Sequence, residues 1–215
     1  MVVFASEPSF RTNFTLTLMT YFFTYFKLGY QHITDLAGYD HMLFIVALCA
    51  VYGLTDWKQI LWIVTFFTLG HSITLALSVL KIVNINSSII EFLIPCTIFI
   101  TSFYNFFEKT PKSILVKKPK PYLKYFFTVF FGLIHGLGFS NYLKSLLGQS
   151  SNIVGELFAF NMGLEMGQLI IVFIFMLLNY IFINLLNVKK RELNLIVSAM
   201  VAGITINLII EKWIF

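Results

Sequence analysis

Charge is what this chain has least of. Only 12% of its 215 residues are Asp, Glu, Lys or Arg, against 58% hydrophobic; an ordinary soluble domain carries ~25% charged and ~45–50% apolar residues. So little polar material cannot cover a water-facing surface, which excludes a soluble nucleotide enzyme, a coiled coil and a disordered tail. Cysteine is equally scarce. Cys49 and Cys96 both lie in apolar runs and form no CxxC pair, which excludes a disulfide-stapled secreted domain. The first residues, MVVFASEPSFRTNF, carry Glu7 and lack a basic stretch running into an apolar core, so they do not read as a secretory signal.

What is present is apolar length. The chain has 25 Phe and a mean hydropathy of +0.84, and a membrane-spanning helix needs about 20 mostly apolar residues. Seven stretches qualify: 14–30, 39–55, 59–80, 88–107, 122–140, 153–186 and 193–211. The first is short and Thr-rich, with Lys27 near its end. The expected fold is all-α, a polytopic helical membrane bundle of six to seven transmembrane helices. Seven is the favoured number, residues 1–215 form a single integral membrane domain, and no soluble domain is expected.

The net charge of +5 is loop charge, not a nucleic-acid footprint. With seven alternating crossings, one side receives Arg11, Lys58, the cluster Lys109, Lys112, Lys117, Lys118, Lys120 and Lys124, and then Lys189, Lys190 and Arg191. The other side receives Lys27, Lys81, Lys144 and Lys212. The excess of basic residues marks the cytoplasmic side, which puts the N-terminus inside and the C-terminus outside. If 14–30 does not cross, only the N-terminus changes side. Asp56, Glu91, Glu108, Glu156, Glu192 and Glu211 fall at or near span ends and read as solvated.

Ionisable groups inside spans are costly and mark functional sites. They are Asp40 and His41 in GYDHMLF, His71 in TLGHSITLAL, His135 in FGLIHGLGFS and Glu165 in NMGLEMGQ. Alternating crossings put all five in the outer half of the membrane, at matching depth on four helices. Asn161, Glu165 and Gln168 recur at i, i+4 and i+7, one polar stripe on an apolar helix. Ser72 adds a hydroxyl beside His71, and His32 and Asp35 lie in the outer connection, where they could guide ions inward. Imidazoles with carboxylates make a nitrogen and oxygen ligand set, suited to divalent Ni, Zn, Co, Fe or Cu. The metal candidates are His41, His71, His135, Glu165 and Asp40. Asp40 fits equally as a carboxylate that orients an imidazole or as a helix cap. Met162 and Met166 read as packing.

Four stretches, HITDLAGYDHMLF, FTLGHSITLAL, FGLIHGLGFS and FNMGLEMGQL, occur in an order and spacing that resemble the HupE/UreJ family of hydrogenase and urease accessory membrane proteins. The resemblance covers about residues 28–175. It implies a nickel permease that supplies metallocentre assembly, and its polar positions correspond to His32, Asp40, His41, His71, His135 and Glu165. The HxxxxD helix motif of a separate class of nickel transporters is missing.

The leading expectation is therefore a permease for a divalent transition metal, nickel first, in the bacterial cytoplasmic (inner) membrane. A membrane-embedded zinc-dependent hydrolase, with Asp40 or Glu165 as general base, is the alternative. A scaffold subunit whose polar cluster only ties helices together is the third. The expected partners are the lipid bilayer and the metal ion, with no nucleic acid and with room for a homo-oligomer.

Overall fold

The computed structural model describes residues 8–108, 122–147 and 153–213, which form helices and turns with no strand among them. The lysines of 109–120 lie outside the described residues. Seven α-helices follow in order: α1 (Pro8–Thr34), α2 (Asp40–Cys49), α3 (Trp57–Val79), α4 (Ser87–Asn105), α5 (Tyr122–Leu147), α6 (Ile153–Tyr180) and α7 (Lys190–Glu211). One turn of 3-10 helix, Leu54–Asp56, leads into α3, and a π-turn, Ile181–Leu185, extends α6. Among the described residues, five helices are long and apolar enough to cross a membrane, the helical stretches Leu54–Val79, Ser87–Asn105, Lys124–Leu146, Ile153–Leu185 and Lys190–Glu211. The molecule is a helical membrane bundle.

The helix boundaries follow local chemistry. Asp35 ends α1 by accepting the Ala37 N–H at 2.9 Å, and Asn86 caps α4 by accepting the Ser88 N–H at 2.9 Å. Lys81 and Asn187 take left-handed backbone (φ 59° and 55°) and reverse the chain after α3 and before α7. The expected span 39–55 is corrected here. Its helix stops at Cys49, because Gly53 leads a turn in which Asp56 accepts the Gly53 N–H at 3.2 Å. At 1.5 Å per residue, α2 is ~15 Å long, half of the ~30 Å hydrocarbon core.

Two helix pairs form the frame, and both are parallel. In the first, Gly70 of α3 lies against Val129 and Leu133 of α5, and Gly132 against Phe67 and His71. In the second, Gly29 of α1 lies against Phe160 and Leu164 of α6, Gly163 against Phe26 and Tyr30, and Gly167 against Ile33. Residue numbers rise together along both seams. A Cβ at Gly163 would collide with the Phe26 carbonyl, and one at Gly132 with the Phe67 carbonyl. Only glycine lets these backbones touch.

The helices α4, α6 and α2 run against α5. Asn141 donates to Ser87 at one end of the α4–α5 seam, and Lys124 pairs with Glu108 at the other. Phe139 of α5 stacks on Phe160 of α6 at 5.4 Å. In α2, His41 lies near His135 and Phe44 near Phe131, while Tyr52 just beyond it lies under Lys124, so α2 opposes α5. Because α1 follows α6, and α6 opposes α5, α1 and α2 run the same way. Seven alternating crossings require them to be opposed. Instead they stand in series, broken at residues 35–39.

Candidate metal-binding site

The break brings together all four histidines of the chain. His32 closes the last turn of α1, and His41 opens the first turn of α2. Their rings lie 4.7 Å apart between centroids. His71 of α3 is 5.9 Å from each of them, and His135 of α5 is 5.2 Å from His41. His71 and His135 are wholly buried and His41 nearly so.

Aromatic rings wall the group. Phe139 lies 3.8 Å from His32. On another side Phe44 and Phe67 lie 4.9 and 5.3 Å from His135.

Hydrogen bonds determine which ring nitrogens carry free lone pairs. Asp40 Oδ1 accepts from His41 Nδ1 at 2.9 Å, so Nε2 of that ring is the unprotonated nitrogen. The Thr97 hydroxyl donates to Ile94 O at 2.7 Å and can only accept from His135 Nε2, 3.1 Å away. That leaves His135 Nδ1 as the lone pair. His41 Nε2, His135 Nδ1, His32 Nε2 and both nitrogens of His71 are buried with no hydrogen-bond partner. Buried polar atoms are nearly always paired, so five orphaned nitrogens in one place mark a candidate site. As they stand, no three His, Cys, Asp or Glu side chains among the described residues converge on one point as metal ligands. His32, His41 and His71 form a triangle with His135 beyond His41, an open cluster and not a closed cage.

Several expected residues lie elsewhere. Glu165 accepts from the Thr65 hydroxyl of α3 at 2.9 Å, and Gln168 Oε1 accepts from Thr68 at 2.7 Å. The polar stripe of α6 thus faces the α3 seam. Thr65 lies six residues before His71 in the sequence, ~9 Å along the helix. Glu165 thus bonds to the same helix that carries His71, and α1 adds His32 to the cluster. Asn161 Oδ1 is buried without a partner. Ser72 bonds back to Thr68 O at 2.6 Å, and Asp35 is the exposed cap of α1. Two carboxylates expected to be solvated are buried: Glu156 at 7% and Asp56 at 8% exposure. Asp56 sits 3.8 Å from Lys190.

Sequence reading missed Thr97, whose only signal is a hydroxyl two residues after Pro95 in an apolar helix. It also missed the network that holds α2. Asn105 Nδ2 donates to Ala47 O at 2.8 Å and to Ser198 Oγ at 3.2 Å, while Asn194 Nδ2 donates to Asn105 O at 3.2 Å. Ala47 O is among the last carbonyls of α2, which have no partner within the helix.

Fold and site together define a polytopic helical membrane protein with a buried histidine cluster at a helix break. The chain belongs to the HupE / UreJ protein family, whose model matches residues 10–215. That family is associated with accessory functions in nickel and metal uptake. No curated protein and no solved structure matches the chain.

Proposed function

We propose that this protein is a permease for a divalent transition metal, nickel first, and that the ion passes along His32, His41, His71 and His135. The observation that carries this reading is the set of buried, orphaned ring nitrogens on those four side chains. Neutral imidazoles are good ligands for such ions, and an incomplete ligand set binds weakly enough to release them. The helix break adds to it. Discontinuous helices place backbone charge at transport sites, and the carboxyl end of α1, which carries partial negative charge, stands beside the rings. The Asp40 carboxylate adds a full charge.

With α1 and α2 in series, the chain makes six crossings, and both ends lie on the side opposite Lys58, Lys124 and Lys189–Arg191. The excess of basic residues makes that loop side cytoplasmic.

The test is Ni²⁺ uptake into proteoliposomes. His71→Phe and His135→Phe fill the space of the imidazole without its nitrogens. Uptake is expected to be saturable in the wild type and lost in both variants, at unchanged helical content. Unchanged uptake in both overturns the reading.

A further inference from the structure

A second feature lies on the far side of the aromatic wall. Between α2, α3, α4 and α5 is a cavity of about 260 Å³, with Leu48, Ile63 and Phe131 among the side chains that line it. Its outer lip carries Ile100 and Tyr104 of α4 and Phe127 of α5, which are 56%, 56% and 46% exposed. It is therefore a cleft that opens sideways through the surface of the bundle, where α4 and α5 part.

The Thr, Asn and Lys side chains around it are already engaged. The hydroxyls of Thr101 and Thr128 each donate at 2.8 Å to a carbonyl of their own helix, Thr97 O and Lys124 O. Asn105 is held by Ala47 and Ser198, and Lys124 pairs with Glu108 at 2.7 Å. A buried water needs two to four polar partners, and a cation needs more. These groups offer neither. The cleft wants an apolar occupant.

The surrounding medium supplies one. In a membrane bundle a lateral opening faces hydrocarbon, since the bilayer core holds no water. The ion pair Lys124–Glu108 closes one end of the α4–α5 seam. From Lys124 to Phe131 the cleft follows α5 for ~10 Å at 1.5 Å per residue, running from a charged rim toward the bilayer centre. That is the shape and polarity gradient of a lipid chain below its headgroup.

We infer that the cleft between α4 and α5 binds an acyl chain of a bilayer phospholipid, seated between the exposed lip and the deep wall of Leu48, Ile63 and Phe131. The occupant backs Phe131, whose ring lies 5.8 Å from Phe44, itself 4.9 Å from His135. The chain is thereby part of the support beneath the histidines. The inference stands independently of whether the protein transports metal.

The experiment uses full-length protein in liposomes containing a phosphatidylglycerol with a diazirine in the acyl chain. Irradiation is followed by mapping of adducts by mass spectrometry. Adducts are expected at Leu48, Ile63 or Phe131, in addition to the outward-facing Trp62, which is 57% exposed. Thr101→Trp fills the cleft and is expected to lose the deep adducts while keeping those at Trp62. Wild-type adducts confined to Trp62, Ile100, Tyr104 and Phe127 would overturn the inference. So would deep adducts undiminished in Thr101→Trp with the Trp62 adduct retained.

Discussion

Asp40 grips His41 twice with one oxygen: Oδ1 accepts the His41 backbone N–H at 2.8 Å and its ring Nδ1–H at 2.9 Å. The carboxylate thereby fixes both the first turn of α2 and the tautomer of the imidazole, and Nε2 is left to face the other histidines.

Asp40→Ala removes the charge and both hydrogen bonds, and is expected to weaken Ni²⁺ binding by about 10–100-fold, the usual cost of losing a group that orients a ligand. Asp40→Asn keeps an oxygen for the Nδ1–H and should fall nearer the lower figure. Titration of purified protein with Ni²⁺ reads both. Equal affinity in Asp40→Ala and wild type would show that the carboxylate is only a cap.

Glu165→Gln retains an acceptor for the Thr65 hydroxyl and removes a charge from α6. Ni²⁺ affinity is expected to stay within about twofold of wild type, a difference of less than half a kcal/mol. A loss comparable to that of Asp40→Ala would return Glu165 to the ligand set.

Gly163→Ala forces a methyl against the Phe26 carbonyl and must push α1 away from α6. The expected cost is ~1–3 kcal/mol, as for other overpacked interiors. Gly203→Ala is the control, because nothing lies within 4 Å of a Cβ built there. It should be neutral or stabilising by ~0.5–1 kcal/mol, the helix-interior difference between Ala and Gly. Thermal unfolding in detergent compares the two, and equal behaviour would contradict the close packing of α1 on α6.

Asn105→Ala strips the Ala47 carbonyl of its partner and breaks the link to Ser198. Leaving a buried acceptor unsatisfied costs ~1–3 kcal/mol. Because α2 is short and has few other anchors, the change should also speed hydrogen exchange across residues 40–49. Exchange confined to its wild-type rate would mean that packing alone holds this helix.

Much of the site could be read from composition. His41, His71 and His135 stand out because almost nothing else polar interrupts their apolar runs, and the polar cost of a bilayer makes each one informative. His32 was harder. It follows a Thr-rich stretch with Lys27, so hydropathy put it in a connecting loop, whereas α1 continues through Thr34. Glu165 shows the opposite limit: a stripe at i, i+4 and i+7 identifies a face of α6 but not the helix that face meets. The direction of α1 was equally hidden, since an apolar stretch reads the same in either sense. Only the glycine contacts with α6 fix it.

Those glycine contacts divide the imidazoles between two close-packed helix pairs. His32 belongs to the α1–α6 pair, and His71 and His135 to the α3–α5 pair. Backbone touches backbone inside each pair, which leaves no slack there, and close-packed interiors rearrange by discrete shifts between bodies more readily than by stretching. His41, on the tethered half-helix between them, has a ring from each pair as a neighbour. For an ion bound among these rings, as proposed above, a shift of one pair against the other would change how many nitrogens it can reach at once.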